Sequence, residues 1–563
     1  MLNLLTATAQ RSIPIVAFHF DKVHHVPDVI VVGAGHNGLI CAAYLARAGI
    51  ETELIEARSD VGGCASTVTD LGARFNICNC DHTLIRGMPV INELELETFG
   101  LHYLEPDASS INMFYDGSDP WVCFHESERT LDSLAVSHPA QVDGYKRYLR
   151  DALPVAQLAL DMARTTPGAM PMITQALSRR AKGAARLLDW SRRSVDDVFS
   201  DYFDDWHLTM PAISTGPTVW GLPPNTPGTG LAAASYATRH LIKTGRPEGG
   251  SGALTDATRA CFEAAGGRVR CDARVDRLMV RDGRAVGVRL DDGSELPARA
   301  IVAACDPHRV FVDWLDEVPS SAKRFVRKWQ NRPVGEGYES KIDAVIAELP
   351  RYRSADRLTD HFPDVDILGP TSIVSPSPDA LSAAHADRSL GLVSAQPTLL
   401  VNVPSVLDPT MLTAEGNHVL SLEVLYTPYS LQGGWANSPE PERWLQLWSE
   451  FLEPGIIDAI VAKRTMTPVR YEAEFSMHRG HTPSYGGSPL AALLGNQRAL
   501  TRYRSPITGL YLSGAGTFPG AGVFGAAGRN TADVVHGDFQ RRLSRRFTSL
   551  QHRAAGTVLR APR

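Results

Sequence analysis

The chain has 563 residues, of which 44% are hydrophobic and 21% charged, and its formal net charge is −6. That length suits two domains, and these ordinary fractions exclude a disordered or fibrous chain. The acidic balance gives no support to nucleic-acid binding, no apolar run reaches membrane-spanning length, and eight cysteines without framework spacing suit a reducing compartment.

Residues 1–27 precede the first regular element. Before Asp21 the only formal cation is Arg11, so the basic start of a targeting peptide is missing and a disordered extension is the preferred reading. From Val29 to Val32 the chain is wholly apolar, as in a parallel strand covered on both faces. Gly33, Gly35 and Gly38 then form G-x-G-x-x-G, with Ala34 and Asn37 between them. The first glycine permits a tight turn, the second lets the backbone approach a pyrophosphate, and the third lets helix and strand pack closely. A helix follows from Leu39 to Ala48, and its free N-terminal N–H groups favour a phosphate. A second strand, Thr52 to Glu56, ends in an acid 18 residues beyond Gly38, where a ribose-binding carboxylate belongs. The acid disfavours a 2′-phosphate. The order strand, glycines, helix, strand, acid points to a dinucleotide cradle.

Further along, Cys78, Cys80 and His82 sit close together; the pair of cysteines has the wrong spacing for a redox disulfide, and His82 reads as structural. Helices are expected from Tyr145 to Met162 and, basic and amphipathic, from Gln175 to Trp190, where Arg179 and Arg180 lie. Pro223 to Gly228 is a rigid turn. After Arg246-Pro-Glu-Gly-Gly250 comes a helix from Thr255 to Ala265. Gly267 to Leu278 alternates as one strand, Val280 to Val288 is a hairpin turning at Asp282-Gly283, and Ala300 to Ala304 is a strand returning to the sheet. In the strand from Glu339 to Ala347, alternation puts Lys341, Asp343 and Val345 on one face and Ile342, Ala344 and Ile346 on the other. His478, Arg479 and His481 precede the loop at Tyr485-Gly-Gly487; two histidines without a third ligand do not make a metal site, and none is expected. Gly509 to Ser513 is another short buried strand, Gly514-Ala515-Gly516 turns, and a helix can start between Val523 and Val535. Gly520 to Gly525 repeats the glycine spacing, but no ribose acid follows it. Beyond Asp538 there is no acid, and Leu543, Phe547 and Leu550 fall at helical spacing among Arg541, Arg542, Arg545 and Arg546. Residues 541–563 thus read first as a solvated helix end, with contact with an anionic membrane surface as the alternative.

Two of these segments carry a resemblance. Glu56-Ala57-Arg58 followed by Gly62-Gly63 is similar to the acid-then-GG extension of glutathione-reductase-type FAD domains, and Cys64 after it is similar to the phytoene-desaturase-like branch. With Gly514 to Gly525 and Gly528-Arg-Asn530, the chain resembles phytoene-desaturase-like FAD-dependent oxidoreductases, in particular the "pyridine nucleotide-disulphide oxidoreductase domain-containing" subgroup of the flavin amine oxidase and phytoene dehydrogenase superfamily. Ala521 stands where that pattern usually has a glycine.

The resemblance implies an α/β fold: a discontinuous glutathione-reductase-type Rossmann FAD-binding domain from residues 28–90, 245–310 and 495–540, with an α+β substrate domain of mixed sheet and helical cap from 91–244 and 311–494. It implies FAD held by Gly33, Ala34, Gly35, Asn37, Gly38, Glu56, Ala57, Arg58, Gly62, Gly63 and Cys64. Val275 would contribute a backbone contact to adenine, and Gly514, Ala515, Gly516, Gly522, Val523 and Phe524 would close over the flavin end. Lys341 and His481 are the catalytic candidates: a lysine on such a strand can hold a water at flavin N5, and a histidine there can exchange a proton. For Lys341 a solvated lysine on an edge strand is the competing reading. The implied reaction is hydride transfer between flavin N5 and a hydrophobic, polyene or isoprenoid-like substrate, with O2 or quinone as acceptor. A cytoplasmic protein, peripheral to the membrane, would fit. A flavin amine oxidase and a flavin-binding interaction protein with little turnover are the alternatives.

Overall fold

The structure is a computed structural model that describes residues 26–78, 80–167, 181–216, 222–482, 484, 485, 492 and 497–541. The tail beyond Arg541, with Arg542, Arg545 and Arg546, lies outside these residues, as do the N-terminal extension through residue 25, Arg179, Arg180 and the glycines of the Tyr485 loop.

Five short parallel strands form the first sheet, in the order Leu510–Leu512, Ala300–Ala303, Val29–Val32, Thr52–Ile55 and Arg268–Arg270. Val29 is level with Ala300 on one side and Thr52 on the other. Every residue of Val29–Val32 is buried because both faces of the sheet are covered. On one face the helices His36–Arg47 and Gly252–Ala264, with a helix over residues 526–541, pack Leu39, Ile40, Leu254, Phe262, Val535 and Phe539 together. On the other face Ile30, Val32, Ile301 and Leu512 meet Val275, Leu278 and Val288 of a three-stranded antiparallel sheet. Each such side chain, fully buried, contributes roughly 1.5–3 kcal/mol.

The expected single strand from Gly267 to Leu278 is two. Arg268–Arg270 joins the parallel sheet, while Val275–Arg281 pairs with Arg284–Leu290 in the antiparallel one. A left-handed residue, Asp272 at φ 51°, turns the chain between them. The hairpin turn at Asp282 and Gly283 has positive φ at both residues, as the expected Asp-Gly pair permits.

A seven-stranded mixed sheet runs Ile460–Met466, Glu339–Ile346, His418–Leu425, Leu399–Asn402, Thr371–Ser375, Ala108–Phe114 and Trp121–Phe124. Only the pairing of Thr371–Ser375 with Ala108–Phe114 is parallel. One face holds an apolar core of Ile342, Ala344, Leu420, Leu422 and Val424 beneath Trp444 and Trp448 of the helix Glu440–Ser449. A helical cap, including Val142–Ala163, Val195–Ser200 and Trp206–Thr215, gathers Tyr145, Tyr148, Phe199 and Tyr236 around a separate core. Ser194 starts one of these helices through a reciprocal capping box with Asp197. No helix among the described residues is long and apolar enough to cross a membrane.

Candidate active site

The glycine loop leaves the central strand of the parallel sheet. Gly33 turns at φ 99° and its N–H donates to Ile55 O at 2.8 Å. A Cβ on Gly38 would fall 1.9 Å from Gly33 O, so only glycine lets the helix sit this close to the strand. A Cβ on Gly35 would meet nothing within 4 Å, which leaves open space at the helix start. Gly35 is the N-cap of His36–Arg47, and no side chain caps it. Its first N–H groups are therefore aimed outward, as phosphate binding requires. Glu56 closes the loop: its carboxylate accepts from Ala34 N–H at 2.7 Å and from Arg58 N–H at 3.0 Å.

These residues form one end of a cavity of about 730 Å³. Gly33, Gly35, Asn37 and Gly38 line it beside Glu56, Ala57 and Arg58. Gly63, Cys64 and Val275 continue the wall, and Gly514, Ala515, Gly522 and Val523 complete it from the distal segment. Four of the residues expected to hold FAD are not on the wall. Ala34 is spent on Glu56 and on accepting from Gly62 N–H at 2.9 Å. Gly62 is a turn residue at φ 118°, where a Cβ would strike Ser66 Oγ at 2.4 Å. Gly516 is buried behind the turn, and Phe524 packs into the helical core.

The distal segment is held against the cradle by one backbone and one side-chain hydrogen bond. Ile85 N–H donates to Val523 O at 3.1 Å, and Gly528 N–H to Asn37 Oδ1 at 3.2 Å. The helix expected from Val523 begins three residues later, at residue 526. His36, which also lines the cavity, is brought down to about 4 by burial. His82 is fully buried between Tyr103 OH and Ser251 Oγ, and burial brings it down to about 3; it is a structural residue, as expected.

The far end of the cavity is the second face of the seven-stranded sheet. Tyr338, Glu339, Leu400, Glu423 and Leu425 line it; Cys78, Met477 and His478 are on the cavity wall as well. Lys341 is a correction. It is on an inner strand, 0% exposed, and is not among the lining residues. Its ammonium donates to Asn76 O and pairs with Asp343 at 3.0 Å, and Arg464 holds the same carboxylate at 2.9 Å. Burial opposes that charge, but Asp343 and Glu423 outweigh it and hold the lysine above its ordinary value. His481 is also off the wall. Its ring lies so close over Gly335 that a Cβ there would meet it at 2.5 Å. Between the two histidines Arg479 takes φ 51°, and His478 is the one that faces the cavity, stacked on His308 at 5.1 Å. Glu339, Glu423 and His478 are functional candidates that sequence reading missed or misplaced. Apart from the cavity, His138, Asp205 and His207 place ligand atoms within 4.8 Å of one another under the cap, and His207 is bound to Asp205 and Asp116.

Residues 38–336 match the model of a known family, the flavin containing amine oxidoreductases. The chain belongs to that family. It is an FAD-dependent oxidoreductase of the phytoene-desaturase-like kind. It is 28% identical to mouse pyridine nucleotide-disulfide oxidoreductase domain-containing protein 2, over 91% of this chain and 94% of that protein. It is 26% identical to the lycopene-forming phytoene desaturase of Pseudescherichia vulneris, over 91% of this chain and 99% of that protein. In fold it is similar to cyclohexylamine oxidase from Brevibacterium oxydans IH-35A, with a TM-score of 0.57, 15% identity, and coverage of 92% and 100%. That oxidase shares its architecture of mixed α/β sheets.

Proposed function

We propose that the glycine-loop end of the cavity holds FAD and that the sheet end holds a hydrophobic, isoprenoid-like substrate. The observation that carries this reading is one continuous cavity running from the uncapped helix at Gly35 to Leu400 and Leu425. The donor set fits the cofactor. Gly35 leaves room for the pyrophosphate at the helix N-terminus, and Glu56 offers a carboxylate at the end of the second strand, where a ribose would lie. Val275 flanks the adenine side, and Gly514, Ala515, Gly522 and Val523 flank the flavin side. In this reading the FAD domain is built from residues 28–90, 245–310 and 495–540, a glutathione-reductase-type Rossmann unit, and residues 91–244 and 311–494 form the substrate domain.

FAD bound there supplies the two-electron acceptor for a substrate C–H. The chain supplies position and exclusion of water. Met477, Leu400 and Leu425 present apolar surface to the substrate, and the relative that desaturates phytoene supports an isoprenoid class. The reaction proposed is dehydrogenation of a hydrophobic molecule to give a C=C bond.

The test is anaerobic. FAD-loaded protein is mixed separately with an isoprenoid lipid extract, with simple amines and with NAD(P)H. Bleaching of the flavin band by the isoprenoid extract alone is expected. Bleaching by amines alone would replace this reading with an amine oxidase, and flavin that none of them reduces would favour a binding role.

A further inference from the structure

The seven-stranded sheet turns unlike faces to its two sides. Ile342, Ala344 and Leu422 enter the apolar core. The other face carries Glu339, Lys341 and Asp343, with Glu423 directly opposite Lys341, Leu425 opposite Glu339, and Leu400 opposite Glu423. Glu339, Leu400, Glu423 and Leu425 all line the cavity. Two carboxyl groups thus stand beside Leu400 and Leu425 on the sheet's part of the wall, and a third, Asp81, lines the cavity from the chain beside it. Glu339 and Glu423 occupy diagonal positions on adjacent strands, where long side chains reach one another.

Their surroundings differ. Glu339 Oε1 accepts from Tyr471 OH at 2.9 Å. Glu423 is 2% exposed, and its Oε1 has no hydrogen-bond partner among the described residues. A buried acceptor left unpaired costs about 1–3 kcal/mol. The charged and titratable groups facing it are Glu339, Lys341 and Asp343 from the neighbouring strand, Asp81, Cys78 and Cys80 from the chain beside it, and Tyr471 from the helix Pro468–Phe475. Lys341, the cation among these groups, favours the ionised form of Glu423, but burial outweighs it and its ammonium is held by Asp343. Arg246 pairs with Asp81 at 2.7 Å, and Lys341 and Arg464 both hold Asp343. Two ionised carboxylates side by side here would repel each other, and one proton between them removes that repulsion.

We propose that Glu423 is the proton-transfer residue of this cavity and that it shares one proton with Glu339. The inference rests on the dehydrogenation reading above. Two C–H bonds on adjacent substrate carbons break and one C=C bond forms. The hydride leaves to the flavin, which is reduced, and the proton passes to the carboxylate of Glu423, which is ionised when the shared proton has moved to Glu339. Glu339, fixed by Tyr471, is a positioning residue that takes up the shared proton while Glu423 accepts the one from the substrate. Burial pushes both carboxyls above the ordinary range, Glu423 the further, which makes Glu423 a stronger base than an exposed carboxylate.

Two measurements on FAD-loaded, full-length protein test this, with E423Q, E423D and E339Q as variants. The first is infrared titration of the oxidised protein without substrate. A protonated-carboxyl C=O band present at pH 7 in the wild type and lost in E423Q is expected, with its titration moved to lower pH in E339Q. Wild type and E423Q spectra without that difference overturn the shared proton. The second is anaerobic bleaching by phytoene in detergent micelles. E423Q is expected to slow it roughly 100-fold and to flatten its rise with pH, and E423D to restore part of the rate, with FAD content unchanged. An unchanged rate in E423Q overturns the transfer role and leaves the dehydrogenation reading standing. A wild type that phytoene fails to bleach strikes that reading instead, and the infrared result then decides the carboxyl pair by itself.

Discussion

The backbone N–H of Gly528 donates to the side-chain carbonyl of Asn37 at 3.2 Å, across 491 residues of sequence. The two helices meet so closely there that a Cβ on Gly528 would lie 2.3 Å from Asn37 O. Asn37 also lines the cavity. One side chain therefore ties the distal segment to the glycine loop at the site itself. Asn37→Ala leaves a buried N–H unpaired, and a loss of about 1–3 kcal/mol in unfolding free energy is expected. Denaturant unfolding of the apoprotein measures it; a change below about 0.5 kcal/mol would mean the contact does not hold the two segments.

Gly35 and Gly38 should fail in different ways. Gly38→Ala forces a Cβ against Gly33 O and should destabilise the fold itself, by about 1–3 kcal/mol or more. Gly35→Ala meets nothing in the protein and should leave the apoprotein's melting temperature unchanged, while filling the space left for the pyrophosphate. Thermal melts with and without FAD separate the two, because a ligand that binds only the folded state raises the melting temperature by an amount that grows with the logarithm of its concentration over Kd.

Arg246 and Asp81 form a nearly buried pair, with side chains 3% and 13% exposed, that joins the central segment to the chain beside His82. Thr371 Oγ1 donates to the same carboxylate at 2.6 Å. Removing one partner strands the other charge, so Asp81→Asn should cost about 3–5 kcal/mol. Chemical denaturation of the variant gives the value, and near-wild-type stability would show that water reaches the guanidinium.

Stability should fall on mild acidification through His36 and His82. Burial brings their folded values down to about 4 and about 3 from 6.5. A group whose folded value is depressed binds its proton more readily in the unfolded chain. The stability it gives is present above pH 6.5 and is lost as pH falls from there through the folded value. At pH 5 the loss is about 2 kcal/mol for each. Comparing His82→Asn with wild type between pH 7 and pH 5 isolates one group: the variant should show the shallower decline. Parallel slopes would contradict the assignment.

The cradle was legible in sequence because its parts are local. The apolar run at Val29, the three glycines, the helix and Glu56 lie within 28 residues, and each residue type answers a nearby steric or charge requirement. The polar face of the larger sheet was not legible. Alternation correctly divides Lys341 from Ile342, but it says nothing of which strand lies alongside. The register that sets Glu423 opposite Lys341 joins residues far apart, as does the inner position that buries the lysine against Asp343 and Asn76. For the same reason His481 was favoured over His478: both flank a left-handed turn at Arg479 and Gly480, and which of them faces the cavity depends on contacts far away in sequence, such as the stacking of His478 on His308.

The most direct test of the account is an FAD titration of apoprotein, followed by flavin fluorescence, in wild type and Gly35→Ala. Tight binding of one FAD per wild-type chain is expected, with affinity weakened at least ~10-fold in the variant, about 1.4 kcal/mol, and no change in the apoprotein's melting temperature. Equal affinity in the two proteins would contradict a cofactor seated on the helix at Gly35.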